Sequence, residues 1–246
     1  MHLAARVHVM QDNPTDPQAE FRAVNVHGTL NLARQATAAG VKRFIFLSSI
    51  CVNGGVTELD KPFTSDDKPA PHSHYAVSKH EAEIGLRKIA NDTGMQVVII
   101  RPPLIYGANA PGNFGSLLSI VKRGYPLPLG DVTQNRRSFV ALDNLIDLII
   151  TCINHPNAAN QTFLVSDGED VSTADLLRKM ALAQSVASRL IPVPVALLNL
   201  CATMIGKQPI AQRLLGNLQV NISHTQKLLG WQPIISLDEG LRRAVG

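Results

Sequence analysis

The sequence contains few cysteines, and their positions restrict the chemistry of the chain. Cys51, Cys152 and Cys201 stand far apart in 246 residues, without a CxxC pair or a spacing typical of metal ligands. Scattered cysteines of this kind are typical of reduced thiols in a reducing compartment. We therefore expect a cytoplasmic protein without disulfides.

Long apolar runs are also missing. The longest, residues 190–205, contains Pro192 and Pro194 and is shorter than the roughly 20 residues that span a bilayer. The opening residues MHLAARVHVM lack the charged segment, apolar segment and cleavage site of a secretory signal. We predict no stable membrane insertion and interpret residues 190–205 as a buried helix that begins at Pro194 and ends at Gly206. A contact with the surface of a membrane is the alternative.

The sequence has no run of basic residues either. Its 23 Lys and Arg against 19 Asp and Glu give a net charge of +4, and the basic groups KRF, RKI, NRRS and LRR lie far apart. This diffuse pattern argues against nucleic acid as a partner and favours a small anionic ligand. With 45% hydrophobic residues, the chain can bury the core of one large domain or of two interleaved domains.

Helical and strand patterns alternate along the first two thirds of the chain. The spacing of apolar residues predicts helices over residues 17–39, 75–91, 114–123 and 143–154, the first of them ended by Gly40. The predicted strands are RFIFLSS (43–49), VVIIRPP (97–103), SFVAL (138–142) and QTFLVSD (161–167). The last third is helical, with a capping box of Ser172 and Asp175. Apolar strands that alternate with helices predict an α/β protein with a doubly wound parallel sheet, covered on both faces.

Ligands of such sheets bind beyond the carboxyl ends of the strands. In this sequence those ends are near Ser48 and Ser49, residues 102–106 and Asp167. Cys51 lies beside one of them, but without a paired base we interpret it as a small apolar filler and not as a nucleophile.

A tyrosine and a lysine, Tyr75 and Lys79, lie four residues apart in HSHYAVSKHEAEIG, at the start of a predicted helix. Residues at this spacing share a helix face, so the ammonium can stabilise the phenolate. Lowering the pKa of a phenol from about 10 to about 7 takes about 4 kcal/mol, of which one ammonium in a partly dry site can supply a good part. With Ser49 holding the same substrate oxygen, the three side chains suit proton transfer to or from an alcohol. An exposed helix pair is the alternative.

Three histidines, His72, His74 and His80, flank the start of the same helix. A metal site would need further ligands, and no carboxylate or cysteine at ligand spacing joins them. We predict no metal.

Seven motifs carry a family resemblance: HLAA, NVHGTLNLARQA, RFIFLSS, YAVSK, RPPLIYG, RRSFVALDNL and HTQKLLGWQP. They cover nearly the whole chain, and in this order the sequence resembles the extended short-chain dehydrogenase/reductases of the NAD-dependent epimerase/dehydratase type, close to UDP-glucose 4-epimerase. The resemblance implies a Rossmann-like fold, a nucleotide-sugar substrate, and NAD as cofactor with NADP as the alternative. It also implies a homodimer built on the helices of residues 17–39 and 75–91, whose own pattern equally supports packing on the sheet.

The resemblance assigns roles to single residues. It implies that Tyr75 is the catalytic base, that Lys79 binds the nicotinamide ribose and lowers the tyrosine pKa, and that Ser49 is the hydroxyl partner. The cofactor would be lined by Tyr75 and Lys79 together with His2, Leu3, Ala4, Ala5, Asn25, Ser48 and Pro102. Asn113 and Arg137 would face the nucleotide diphosphate, because a guanidinium can hold phosphate oxygens in a bidentate fork. A solvated arginine is the alternative for Arg137.

The sequence departs from the family pattern in three places. Families of this fold open with a strand, a GxxGxxG turn and a helix that receives the pyrophosphate, and no glycine triplet of this spacing follows any strand here. We therefore expect an N-terminally truncated part of a longer enzyme, preceded by about 60 to 70 residues. VNG (52–54) stands where the family often has VYG, which leaves the contacts of that loop open. Ile50 and Cys51 follow Ser49 where the nucleotide-sugar dehydratases carry an Asp-Glu pair, so dehydration is disfavoured.

These implications favour a 4-epimerase that oxidises C4 of a UDP-sugar transiently. The alternatives are a nucleotide 4-keto-sugar reductase, a hydroxysteroid or flavonoid-type alcohol dehydrogenase of the same superfamily, and a non-catalytic binding domain. We expect residues 1–110, with 137–167 returning to them, to form a partial dinucleotide-binding domain. Residues 111–136 and 168–246 would form a smaller, mainly helical substrate-binding domain.

Overall fold

The computed structural model of the chain describes residues 1–7, 16–110 and 112–245. Its α-helices are α1 (Pro17–Arg22), α2 (Thr29–Ala38), α3 (His74–Thr93), α4 (Asn113–Lys122), α5 (Leu142–Asn154), α6 (Thr173–Ala183), α7 (Val195–Met204), α8 (Gln208–Leu215), α9 (Ser223–Leu229) and α10 (Leu237–Val245). Its strands are β1 (Arg43–Leu47), β2 (Gln96–Arg101), β3 (Leu104–Tyr106), β4 (Arg137–Ala141), β5 (Thr162–Leu164) and β6 (Asp170–Val171). A π-helical segment, Ala23–Gly28, joins α1 to α2. The predicted helices and strands are present with small shifts at their ends, whereas the short strands β3 and β6 were not predicted.

The first sheet is parallel and has the strand order β1-β2-β5. β1 pairs along its whole length with β2, and β5 pairs with the other side of β2. His2 adds a further parallel pairing opposite Phe46, where its backbone N–H donates to the carbonyl of Ile45 at 2.8 Å. The parallel sheet predicted from the alternating pattern is confirmed.

Alternate residues of β1 and β2 point to opposite faces of this sheet. One face packs on α2 and α3, in a cluster that includes Phe44, Phe46, Val97, Ile99, Ala33, Ala82 and Leu86. The other face, to which Phe163 of β5 contributes, packs on α5 and the segment after α9, in a cluster that includes Ile45, Val98, Ile100, Leu145, Leu148 and Trp231. Both faces are therefore covered, as the continuous apolar strands predict.

A second, smaller sheet has the order β3-β4-β6 and packs with α4, α6 and α10. β4 pairs parallel to β3 and antiparallel to β6. β3 lies within residues 1–110, so this pairing joins β4 to the predicted first unit, while α5 packs on the first sheet and β5 pairs within it. The division into two domains stays a prediction.

The first turn of helix α3, which begins the candidate site, is held in place by a hydrogen-bonded cap and by close packing. The Ser73 hydroxyl caps its first turn by accepting from the backbone N–H of Ala76 at 3.2 Å, and Gly94, at φ +74°, ends it. A Cβ at Gly85 would lie 2.6 Å from the side chain of Leu30. Helices α2 and α3 thus pack closely because Gly85 has no side chain. The first turn of α3 is held against the end of β1.

Helix α7 begins after Pro194 and ends before Gly206, as predicted, but the prediction that it is buried is wrong. None of its described residues is buried, and Leu200 and Met204 are 58% and 78% exposed. Its inner face, including Val195, packs partly on the core of the second sheet. A helix that is apolar all round looks buried in sequence, although only one of its faces meets the core.

Within the described residues, none of the helices combines the length and the apolar character that crossing a bilayer requires.

Candidate active site

The first turn of α3 meets the carboxyl ends of β1 and β2 in a cleft. The walls of this cleft include Leu3, Ala5, Ser48, Ser49, Tyr75, Lys79 and Pro102. The structure thus brings together the three predicted catalytic side chains and a large part of the predicted cofactor-lining residues. Parallel strands place their carboxyl ends at one edge of the sheet, and a ligand there is the usual arrangement in this fold class.

The ammonium of Lys79 lies at the end of β1, and the side chain is almost completely buried. Its Nζ donates to the carbonyl of Leu47 at 2.8 Å and lies 4.5 Å from the centre of the Phe46 ring. Burial lowers the pKa of Lys79 to about 8, and the Glu83 carboxylate acts in the opposite direction. Because an ammonium carries three N–H donors, the Leu47 bond leaves donors for a ligand hydroxyl.

The surroundings of the Tyr75 phenol within the protein alone do not lower its pKa, and the lowering predicted for the enzyme with its cofactor stays a prediction. Burial raises the pKa of Tyr75 to about 12, negative charge on Cys51 adds to this effect, and hydrogen bonding with Ser49 opposes it. Lys79 is not among the groups that act on this phenol, because its ammonium is directed at the end of β1. Within the protein alone, Lys79 therefore does not lower the pKa of Tyr75.

Asn25 holds the N-terminal segment against α3. Its side-chain Oδ1 accepts from the backbone N–H of Arg6 at 2.7 Å, and its Nδ2 donates to the Arg6 carbonyl and to Ser78 Oγ, both at 3.0 Å. Asn25 is buried, and it lies in the π-helical segment, a local distortion that is frequent at functional sites. Its contacts show that it fixes the wall formed by residues 3–7, and its predicted role at the cofactor stays a prediction.

The remaining predicted cofactor and substrate residues lie outside the cleft or outside the described residues. The ring of His2 contacts Thr29 Oγ1 at 3.0 Å, and Ala4 is exposed. The side chain of Asn113, the first residue of α4, is outside the described part of the structure. Its predicted role stays a prediction.

Sequence reasoning missed a buried ion pair beneath the cleft. The Glu83 carboxylate, one turn after Lys79, accepts two hydrogen bonds from the Arg101 guanidinium and one from the Ser48 hydroxyl. Arg101 also donates to Asn53 Oδ1 at 3.0 Å. The pair therefore joins α3 to the ends of both long strands and to the loop after β1. An arginine inside the otherwise apolar strand VVIIRPP was the available signal, since a buried charge requires a partner.

Arg137, at the start of β4, is not the solvated arginine of the alternative interpretation. Its guanidinium donates to the Gly216 carbonyl at 3.2 Å. Burial and, to a lesser extent, the positive charge of Arg213 lower the pKa of Arg137 to about 10, against an opposing effect of Cys51. The contribution of Arg213 from α8 was not predicted.

Asp167 has a structural role, although its place at the carboxyl end of a strand suggested that it would contact a ligand. Its carboxylate accepts from the Tyr106 hydroxyl at 2.7 Å, from the backbone N–H of Ala141 at 2.8 Å and from Asn144 Nδ2 at 2.7 Å. These bonds join β3, the end of β4 and the start of α5. A carboxylate with this many donors is a fixed part of the scaffold.

The histidines near α3 do not converge on one point, and the Nδ1 atom of His80 is buried without a hydrogen-bond partner among the described residues. His74 Nδ1 contacts Gln18 Oε1 at 2.6 Å, and the ring of His72 fills the space beside Gly55. In residues 1–7, 16–110 and 112–245, no group of three or more His, Cys, Asp or Glu side chains is placed to hold a metal ion.

The groups of the cleft fit the nicotinamide and ribose part of a dinucleotide. Lys79 offers N–H donors for ribose hydroxyls, Tyr75 and Ser49 offer hydroxyls, and Leu3, Ala5 and Pro102 form apolar walls for a flat ring.

Comparisons with known proteins agree with this geometry. The sequence model described as "NAD dependent epimerase/dehydratase family" matches residues 1–166. UDP-glucose 4-epimerase of Vibrio cholerae is 51% identical over 243 residues, which are 99% of this chain and 74% of that protein. Two solved structures share the fold at low identity. UDP-glucuronic acid 4-epimerase from Bacillus cereus in complex with NAD has a TM-score of 0.78 at 20% identity and covers 100% of this chain and 70% of its own. RMD from Pseudomonas aeruginosa complexed with NADPH has a TM-score of 0.78 at 22% identity. The match covers 99% of this chain and 79% of the RMD chain.

We predict that Glu83→Leu strongly destabilises the protein. The substitution leaves Arg101 buried without a counter-charge, which costs about 3 to 5 kcal/mol. Urea denaturation followed by circular dichroism measures the free energy of unfolding. Glu81→Leu on the same helix is the matched control, because Glu81 pairs with Arg22 at the surface and its loss costs about 1 kcal/mol or less. Equal effects of the two substitutions would contradict the role assigned to Glu83.

We also predict that Lys79 makes stability rise with pH. Its pKa is about 8 in the folded protein and 10.5 ordinarily, so between these values the unfolded chain binds more protons and the free energy of unfolding increases with pH. At about 1.4 kcal/mol per pH unit, the contribution is about 3 kcal/mol. Lys79→Met removes it, so the difference between the two unfolding curves isolates Lys79 from Tyr75 and Cys152, which titrate in both proteins. Parallel curves over this range would refute the prediction.

Proposed function

Because this chain belongs to the NAD-dependent epimerase/dehydratase family, we propose that it is a nucleotide-sugar 4-epimerase that acts on a UDP-sugar with NAD as its cofactor. The observation that carries the proposal is the convergence of Ser49, Tyr75 and Lys79 in one cleft at the carboxyl end of β1. The similarity to the Vibrio cholerae UDP-glucose 4-epimerase over nearly the whole chain supports this substrate class.

Tyr75 is the group that takes the proton from the sugar 4-hydroxyl and returns it. Ser49 shares the same substrate oxygen and holds it against the phenol, while Lys79 binds the ribose hydroxyls. Bound NAD supplies the hydride acceptor and a positively charged ring. Since its own surroundings raise the pKa of Tyr75, the phenol is protonated at neutral pH and suited to donate to a 4-keto oxygen. Taking a proton in the opposite direction needs added positive charge near the phenol.

The residues after Ser49 favour epimerisation over loss of water. Ile50 is buried, and Cys51 is partly buried with its backbone N–H bonded to the Ser49 hydroxyl at 3.2 Å. Neither can act as the acid that elimination of a sugar hydroxyl requires.

Arg137 and Arg213 are suited to hold the nucleotide diphosphate. The positive charge of Arg213 acts on Arg137, so an anion that contacts both guanidinium groups would be favoured.

A homodimer is the assembly that we propose for this enzyme. Helices α1 to α3 form one continuous outer surface, on which Arg22 and Glu81 pair and the apolar side chains Val24, Leu32 and Ile84 are exposed. If the same surface of a second copy packed against it, those side chains would be covered. The cytoplasmic location expected from the scattered thiols stays a prediction.

The function is tested with the natural protein that carries this sequence, by following the interconversion of UDP-glucose and UDP-galactose by NMR. We predict that Tyr75→Phe lowers kcat by about 100- to 10,000-fold at every pH, because no other group can exchange the proton. Arg137→Leu should mainly raise KM. Wild-type protein that consumes reduced cofactor on a 4-keto sugar and does not interconvert the two sugars would identify a reductase. A Tyr75→Phe enzyme with most of its activity would refute the mechanism.

The dimer is tested with Ile84→Glu. The side chain is 56% exposed on α3, so a carboxylate there should leave folding intact and prevent association. Sedimentation velocity should show a dimer for the wild type and a monomer for the variant. Ile150→Glu, at an exposed apolar residue of α5, is the matched control and should remain dimeric. A wild-type monomer at micromolar concentration would exclude the proposed assembly.

A further inference from the structure

The turn between α7 and α8 exposes an unusual amount of apolar surface. The exposed side chains, named here the apolar tip, are Leu197, Leu200, Met204, Ile205 and Ile210. Met204 and Ile205, at the turn itself, are 78% and 69% exposed, so most of their apolar surface faces solvent. Exposed apolar side chains that cluster on a protein surface mark a site of interaction, and Leu197, Leu200 and Met204 recur at helical spacing on α7.

The tip lies in a part of the chain that carries positive charge alone. Residues 176–237 contain no Asp or Glu and six Lys or Arg, and residues 190–206 contain no charged side chain at all. Lys207 follows the tip directly, and Arg213 lies on α8. Neither forms an ion pair among the described residues. The acidic residues Glu58 and Asp60 lie beside the far end of α8, where Thr57 pairs with Asn217.

The tip is held rigidly. The backbone N–H of Lys207 donates to the Ala202 carbonyl at 2.7 Å, and that of Gly206, at φ +66°, donates to Thr203 at 3.2 Å. These bonds close the turn after α7 in the manner of a Schellman motif. At its other end α8 is bonded to the second sheet, since Asn135 Nδ2 donates to the carbonyls of Leu214 and Gly216 at 3.3 Å.

We propose that the apolar tip docks the protein on the surface of a lipid bilayer that contains anionic lipids. An apolar helix surface bordered by Lys and Arg is the arrangement that inserts into the headgroup region, where the apolar side chains leave water and the cations meet anionic headgroups. α7 has 10 residues and is too short to cross a bilayer, so the contact is peripheral.

The charge of this region favours a membrane over a second copy of the chain. Two copies joined tip to tip would bring Lys207 of both into the same interface, where like charges repel. An anionic bilayer instead offers the complementary charge. The protein also provides an internal contrast, because α5 exposes Ile146 and Ile150 beside Asp143 and Asp147, and a neighbouring cation, Arg243, is paired with Asp143.

The test is flotation of the natural protein with vesicles of phosphatidylglycerol and phosphatidylcholine in equal parts, compared with phosphatidylcholine alone. The wild type should float with the anionic vesicles, and high salt should release it. Lys207→Glu should weaken partitioning about tenfold or more, since each basic group near such a surface contributes about fivefold. The double variant Leu200→Ser/Met204→Ser should not float. The matched control, Ile146→Ser/Ile150→Ser on α5, should float like the wild type.

A second measurement does not depend on these variants. Cys201 is exposed on α7, whereas Cys152 is buried, so in a Cys51→Ser background an environment-sensitive fluorophore can be attached at Cys201. Its emission should shift to the blue when anionic vesicles are added. Absence of both flotation and shift, or flotation that the α7 variants leave unchanged, would overturn the proposal. A wild-type oligomer, seen without lipid, that the α7 double variant dissociates would overturn it too, by identifying a second copy as the occupant.

Discussion

The buried ion pair between Glu83 and Arg101 is the interaction on which the geometry of the cleft depends. Removing two charges from water is costly, and here the cost is offset by a bidentate contact and by further hydrogen bonds from Ser48 and to Asn53. Because Glu83 lies one turn after Lys79 on α3, the pair fixes that helix relative to the ends of β1 and β2. Neither charged group reaches the cleft itself, so the network positions the reactive side chains and takes no direct part in the chemistry.

The dryness of the cleft explains why the pKa values of Tyr75 and Lys79 move in opposite directions. Burial disfavours the charged form of each group, which raises the pKa of the phenol and lowers that of the amine. The helix spacing correctly placed both side chains on one face, but it could not show that the ammonium would bond to Leu47. The protein's own charges therefore keep Tyr75 protonated, and its conversion to a base depends on positive charge supplied with the ligands.

Sequence patterns predicted those parts of the structure that depend on local periodicity and on short motifs. The parallel sheet followed from apolar strands alternating with helices, and the closeness of Ser49, Tyr75 and Lys79 followed from strand ends and helix spacing. The partners of Arg101 and Arg137 could not be predicted in this way, because Glu83, Asn53 and Gly216 are distant in sequence and meet through the tertiary fold alone. The burial of α7 was predicted wrongly for a related reason, since apolar composition does not show how much of a helix the core can cover.

Helix α8 connects the surroundings of Arg137 to the apolar tip. At one end, the Gly216 carbonyl accepts from Arg137, and at the other, Lys207 and Ile210 border the tip. The helix has eight residues, so the two ends are roughly 12 Å apart at about 1.5 Å per residue. Arg213 lies between them, and its charge acts on Arg137. A rigid element this short leaves little room for independent motion. The distance between the two ends exceeds the Debye length of about 8 to 10 Å, so salt largely screens an anionic surface at the tip from the guanidinium group of Arg137, and the proposed diphosphate site and the tip act independently.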